Sequence, residues 1–131
     1  MGLPMHLRIG LRGEQLTARY LREHGYTLFA SNFSTKLGET DIVALQEDGT
    51  LCFVEVKTRT PGGMLEPSEA VDWGKQNRLI NNAAAFLKYT KIDYKRIRFD
   101  IAEVYLTDFH NAKIHIIEDA FGQGSFPEKQ R

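Results

Sequence analysis

Glu55 and Lys57 stand two residues apart in Cys52-Phe53-Val54-Glu55-Val56-Lys57, a segment whose apolar and polar residues alternate. Successive side chains of a strand point to opposite faces, so Glu55 and Lys57 share a face with Phe53, while Cys52, Val54 and Val56 form an entirely apolar face. Asp41 ends Gly38-Glu39-Thr40-Asp41 and leads directly into the apolar run Ile42-Val43-Ala44-Leu45. Glu14 falls at helical spacing with Leu11, Ala18 and Leu21, on the stripe expected to face the core. Carboxylates gathered in one place repel: two unit charges ~4 Å apart cost ~4 kcal/mol at an effective dielectric near 20. One lysine cannot neutralise three acids, so such a cluster either holds protons or binds a cation. Oxygen donors without thiolates favour Mg²⁺ or Mn²⁺ over zinc.

That chemistry suits phosphodiester hydrolysis, in which a divalent ion polarises a phosphoryl oxygen and activates a bound water. In this reading Asp41 and Glu55 fix the ion. Lys57 orients the water and stabilises charge developing on the phosphate. Glu14 binds a second ion or holds the water. Lys75 and Gln76, at the start of a later helix, contact substrate phosphate, helped by the positive helix terminus. A bland alternative stands beside this: Val-Glu-Val-Lys is also what a half-exposed strand looks like. Asp41 at the mouth of an apolar run and Glu14 on a core stripe weigh against it.

Several elements must position these residues. A first helix is predicted from about Leu11 to His24, stopped by Gly25. Strands follow at Tyr26–Phe33, Thr40–Gln46 and Thr50–Thr58, with a turn around Ser34–Gly38. Glu47-Asp48-Gly49 joins the second and third strands. A three-residue loop with a left-handed glycine pairs Gln46 with Thr50 and sets Asp41 opposite Glu55. A two-residue turn would pair Asp41 with Val56 and separate the acids onto opposite faces. The three-residue loop is preferred. After a loop at Thr60–Pro67, a second helix runs from the N-cap Asp72 to about Tyr89, with Leu79, Ala83, Phe86 and Leu87 on its apolar face. Strands at Arg96–Leu106 and Lys113–Glu118 complete a mixed five-stranded sheet flanked by helices.

The chain has 131 residues, 42% hydrophobic and 26% charged, which suits one soluble domain. We place that domain at residues 10–121, followed by a loose tail at 122–131. No apolar run reaches membrane-spanning length, the N-terminus lacks a secretion-signal pattern, and Cys52 is the single cysteine, so a cytoplasmic protein without disulfides is expected. Net charge is zero, unlike a tight nucleic-acid binder, but its distribution is uneven. Acids dominate from Tyr26 to Gly74, whereas from Lys75 to Arg98 the basic residues Lys75, Arg78, Lys88, Lys91, Lys95, Arg96 and Arg98 stand against Asp93 alone. An acidic centre with a basic flank suits an anionic polymer held near a cation.

Other residues carry less. His6, His24, His110 and His115 show no spacing for a shared metal and read as structural or surface groups. Trp73 either stacks on a base or, the preferred reading, fills a core edge. Arg59 is a candidate phosphate contact just beyond the lysine-bearing strand. Arg98 and Asp100 form either a pair near the site or a structural ion pair.

Gly13-Glu14 with Ala18 and Leu21, Gly25-Tyr26, Asn32-Phe33, Gly38-Glu39-Thr40-Asp41-Ile42-Val43-Ala44, Phe53-Val54-Glu55-Val56-Lys57-Thr58-Arg59, Glu69-Ala70-Val71 with Lys75, and Arg98-Phe99-Asp100 together resemble the YraN-like family of uncharacterised bacterial proteins. That family is similar to the restriction-endonuclease-like superfamily, whose nearest well-understood relatives are the archaeal Holliday-junction resolvases. The resemblance implies a three-layer α/β/α core. It also implies Asp41, Glu55 and the Val56 carbonyl as metal ligands, Lys57 as catalytic lysine and Glu14 as accessory acid. A homodimer acting on DNA follows from the same resemblance. Thr40 replaces the proline that precedes the first acid in the superfamily. The expectation is therefore a Mg²⁺- or Mn²⁺-dependent endonuclease acting on branched or single-stranded DNA. Its rivals are a nucleic-acid-binding or adaptor module of the same fold without turnover, and a protein-interaction scaffold with an acidic patch.

Overall fold

The computed structural model describes residues 2–61 and 71–129. Most of the loop expected at Thr60–Pro67, with Glu66, Glu69 and Ala70 of the sequence pattern, lies outside the described residues.

The first helix, α1 (Met5–Glu23), starts well before Leu11, with Pro4 at its N-cap accepting the N–H groups of Leu7 and Arg8 at 3.0 and 3.1 Å. It stops where expected. Gly25 adopts φ +85°, its N–H donates to Arg22 O, and Tyr26 N–H donates to Leu21 O. Glycine enters this left-handed conformation without a Cβ penalty.

Five strands follow: β1 (Thr27–Thr35), β2 (Gly38–Leu45), β3 (Thr50–Arg59), and, beyond helix α2 (Trp73–Tyr89), β4 (Arg96–Leu106) and β5 (Ala112–Phe121). They lie in the order β1-β2-β3-β4-β5. All neighbours are antiparallel except β3 and β4, which are parallel. Parallel neighbours need a long crossover, and α2 lies within it. Over the described residues the fold is α/β, a mixed five-stranded sheet with two helices.

The connection between β2 and β3 has the three-residue form. Gln46 N–H donates to Thr50 O at 2.8 Å, Gly49 adopts φ +91°, and the ladder runs from Leu45↔Leu51 to Ile42↔Val54. Continued by one pair, this register sets Asp41 opposite Glu55, on the face shared by Val43 and Phe53.

The helices cover opposite faces. Leu79, Ala83 and Phe86 of α2 pack on Val43, Leu51, Phe53, Phe99 and Phe121, with Phe86 edge-on to both Phe33 and Phe53. Leu21 of α1 packs on Ile42, Ala44, Cys52, Val54 and Ala102. With cover on both sides, β3 is buried over its first half, which explains Cys52 and Val54 at zero exposure.

Two expectations are corrected. The line of α1 that meets the sheet is Gly13, Thr17 and Leu21, with Ala18 packed beside it; of the expected face, Ala18 and Leu21 hold, whereas Leu11 is exposed and Glu14 is half-buried. The reason is close approach: a Cβ on Gly13 would lie 1.8 Å from Thr58 Oγ1, so only a residue without a side chain fits there. The C-terminal segment is also anchored rather than loose over residues 126–129. Phe126 lies 6.1 Å from the Phe99 ring, Glu128 pairs with Arg96, and Lys129 N–H donates to Lys95 O.

Candidate active site

The sheet parts beside Asp41. The β2–β3 ladder ends at Ile42↔Val54, whereas β1–β2 pairing continues to Thr35↔Gly38 and β3–β4 pairing to Arg59↔Tyr105. Past the end of the ladder, the Val56 N–H has no β2 carbonyl to meet. The Asp41 carboxylate takes that place: Val56 N–H donates to Asp41 Oδ2 at 2.8 Å. The N–H and C=O of one strand residue face the same neighbour, so the Val56 carbonyl also faces this opening.

Glu55 is 8% exposed, and its Oε1 lies 2.8 Å from Lys75 Nζ and 3.7 Å from Lys57 Nζ. Burial and the facing Glu55 push the Asp41 carboxyl up to about 7, although the Val56 N–H favours its ionised form. Burial, and then Lys75 beside it, lower the Lys57 pKa. Burial is the strongest single influence on Lys75 and lowers its pKa, but the bonds to Glu55 and Lys57 and the charges of Glu55 and Asp41 together make the net shift upward. A cavity of about 250 Å³ opens here, lined by Gly38, Glu39, Asp41, Glu55, Lys75, Arg78 and Leu79.

Glu14 approaches from the other face of the sheet, where it lines a separate hollow with Asn32 and Ile42. Burial raises its carboxyl above the usual range; a hydrogen bond from Asn32 opposes this, and Glu39 and Glu55 add to it. Glu14 thus feels the charge of Glu55 across the parted strands. The three acids expected in one pocket are instead a pair with a third within electrostatic reach. Among the described residues, no group of three or more Asp, Glu, His or Cys side chains is arranged to hold a metal ion.

The substrate contacts expected from sequence separate in space. Lys75 is at the acids. Gln76 is not: its amide donates to Val71 O at 2.9 Å, serving the helix start. Arg59 lies two residues past Lys57, opposite Tyr105 in β4 and hydrogen-bonded to it. Trp73 is 75% exposed, which overturns its placement at a core edge. Arg98 and Asp100 form a structural pair at 2.9 Å, tied to Gln46, Tyr26 and the Asp119 N–H, opposite Cys52 and Val54 and away from the acids. The four histidines are exposed and scattered.

Sequence reasoning missed Asn82, which is fully buried on α2. It accepts the Thr35 hydroxyl at 2.6 Å and donates to Phe33 O and Thr40 Oγ1 at 3.1 and 3.0 Å. These bonds clamp the β1–β2 turn to α2 and fix the residue before Asp41. Thr40 therefore has a stated use as an acceptor for this clamp. An asparagine beside Ala83 between Leu79 and Phe86 was the available signal, because a polar side chain on a buried stripe must be satisfied. Arg78 and Glu39, which line the cavity, were also passed over.

Comparison with known proteins gives the lineage of this arrangement. Residues 13–104, which carry all four proposed catalytic side chains, match the uncharacterised protein family UPF0102. The chain belongs to that family. A UPF0102 protein of Alkaliphilus oremlandii is 42% identical over 119 residues, covering 89% of this chain and 100% of the relative. One from Clostridium perfringens is 37% identical over 114 residues, covering 86% and 93%. One from Rhodococcus opacus is 37% identical over 116 residues, covering 88% and 98%. Among solved structures, a protein of unknown function from Silicibacter pomeroyi aligns with a TM-score of 0.40 at 17% identity, covering 99% of this chain and 77% of that one. Among the described residues of this UPF0102 protein, no helix is long and apolar enough to cross a membrane.

Proposed function

We propose that this UPF0102 protein is a Mg²⁺- or Mn²⁺-dependent endonuclease of restriction-endonuclease-like architecture, hydrolysing phosphodiester bonds in branched or single-stranded DNA. The observation that carries the proposal is the juxtaposition of Asp41 and Glu55 where the sheet parts, with Lys57 on the same strand face. Two carboxylates with a carbonyl beside them suit an ion that keeps several waters and binds substrate phosphate, as Mg²⁺ does, better than one held in an all-protein cage. The raised pKa of Asp41 points the same way, since the pair needs either a proton or a cation.

In this reading Asp41, Glu55 and the Val56 carbonyl hold the ion, which when bound would supply an activated water and a polarised phosphoryl oxygen. The Val56 N–H fixes the Asp41 carboxylate. Lys57 stabilises charge on the phosphate, and its lowered pKa lets it give up a proton more readily than a free lysine. Glu14, on the opposite face, acts on the site through its charge across the parted strands. Lys75, Arg78 and, further along β3, Arg59 bind backbone phosphates. A homodimer is part of the proposal, because cutting two strands of a junction needs two sites. So is a cytoplasmic location.

The test is cleavage of labelled junctions, flaps and single strands with Mn²⁺. Wild-type protein should cut, and Asp41→Ala or Lys57→Ala should not. Activity persisting in both variants would exclude this site.

A second reading, a binding or adaptor module without turnover, is favoured by the Lys75 ammonium 2.8 Å from Glu55, where it already neutralises the carboxylate. DNA binding that survives EDTA, with no cutting across the substrate panel, would support it.

A further inference from the structure

Asn32 is held at φ +53° in the middle of β1, a left-handed conformation that a non-glycine residue seldom takes within a strand. Its neighbours pair as Ser31↔Ile42 and Phe33↔Thr40, so the strained residue stands directly opposite Asp41. The strand turns over at this point. Ala30 and Phe33 both pack on the α2 side, although residues three apart in a regular strand face opposite ways. β2 turns over with it: Ile42 packs with Leu21 of α1, whereas Thr40, two residues earlier, accepts a hydrogen bond from Asn82 of α2. The β2–β3 ladder ends at the same level, at Ile42↔Val54, and beyond it the Asp41 carboxylate takes the Val56 N–H. On the other face the Asn32 side chain hydrogen-bonds Glu14, and both line a hollow of about 330 Å³.

We infer that Asn32 is a positioning residue of the acidic site, its left-handed backbone parting β2 from β3 beside Asp41 and its amide holding Glu14 at the opening. A strained conformation persists only where the surrounding structure over-determines it. Here Asn82 grips Phe33 and Thr40 from one side of the sheet, and Glu14 grips Asn32 from the other. Asparagine suits both tasks, since it tolerates the left-handed region and carries an amide donor. Glycine meets only the first requirement, and a β-branched residue meets neither. The geometry belongs to the fold, while its use in catalysis rests on the nuclease-site reading.

NMR of the full-length, metal-free protein separates the two tasks. The Val56 amide reports the backbone task, because Asp41 is its partner, and the Val54 amide in the last ladder pair is the internal reference. Asn32→Val should speed hydrogen exchange at Val56 about tenfold relative to Val54, a local opening that leaves global stability out of the ratio. Asn32→Ala serves if the valine variant does not fold, and Asn32→Gly should keep the wild-type ratio. Glu14→Gln should shift the Asn32 side-chain amide protons, the pair missing from the Asn32→Gly spectrum. Asn32→Gly should also bind Mn²⁺ about tenfold more weakly, as loss of a group that orients a metal site does, without a lower urea midpoint. An unchanged exchange ratio in the folded valine or alanine variant overturns the inference. So do Asn32 amide protons indifferent to Glu14→Gln, or undiminished Mn²⁺ binding in Asn32→Gly. Wild-type protein that binds no Mn²⁺ while both amides respond sinks the nuclease and leaves the positioning intact, whereas Mn²⁺ binding with neither response does the reverse.

Discussion

Lys75 Nζ lies 2.8 Å from Glu55 Oε1, nearer than Lys57 Nζ at 3.7 Å, although Lys57 shares a strand with Glu55 and Lys75 arrives from a helix. An ammonium so placed occupies the carboxylate that the proposed cation would use, and a cation bound there would release it toward the proposed substrate phosphate. Lys75→Ala should therefore raise Mn²⁺ affinity in the absence of DNA by about fivefold, the equivalent of roughly 1 kcal/mol for a partly exposed ion pair. The same variant should bind DNA more weakly, with a salt dependence smaller by about one phosphate contact. Calorimetric Mn²⁺ titration and DNA binding at two salt concentrations check both halves.

The acidic pair sets a pH dependence of stability. Asp41 is raised from 3.8 to about 7, so the metal-free folded state holds this proton more tightly than the unfolded chain. Its contribution is fully present below about pH 3.8 and is lost as pH rises to about 7, at up to about 1.4 kcal/mol per pH unit. Asp41→Asn should flatten that part of the stability curve. Mn²⁺, which needs the ionised carboxylate, should bind more tightly as pH rises toward about 7 and level off above it. Urea melts across this range, with and without Mn²⁺, measure both effects.

Gly13 is the closest approach of α1 to β3. Alanine is the better helix former by about 1 kcal/mol, but here its Cβ would fall 1.8 Å from Thr58 Oγ1 and 2.9 Å from Thr58 Cβ. Overpacking costs about 1–3 kcal/mol and also shifts Glu14, one residue on. Gly13→Ala should lower the melting temperature despite its propensity gain. The Thr58 hydroxyl has no hydrogen-bond partner among the described residues, so adding Thr58→Ala should restore part of the loss.

The Asn82 clamp predicts a coupled loss. Asn82→Leu leaves the buried Thr40 hydroxyl and the Phe33 carbonyl without this donor, at about 1–3 kcal/mol for each buried group left unpaired. Because Thr40 precedes Asp41, Mn²⁺ affinity should fall together with stability. Asn82→Asp should recover the bond from Thr35 and not the two that need an amide donor. Denaturation and metal titration of the two variants separate these contributions.

Short-range chemistry was legible in the sequence. Glu47-Asp48-Gly49 gave the register of β2 on β3, because a loop of that length with a left-handed glycine admits one pairing, and the pairing alone decides that Asp41 and Glu55 share a face. The alternation of β3 and the stop at Gly25 were equally plain, since each depends on the residue and its immediate neighbours.

What the chain could not reveal by itself are the relations that form only when elements meet. Leu11 has the right hydrophobicity for a contact face, yet Gly13 and Thr17 make the contact, because close packing selects for small side chains and hydrophobic spacing does not register size. The parallel pairing of β3 with β4, the anchoring of Phe126 on Phe99, and the exposure of Trp73 depend on how distant segments share the sheet. Sequence determined which acids lie on one face of which strands. Tertiary structure alone decided that the strands part beside Asp41, that Lys75 reaches Glu55 from across the chain, and that Glu14 stays on the other face, because each follows from the docking of helices against a sheet.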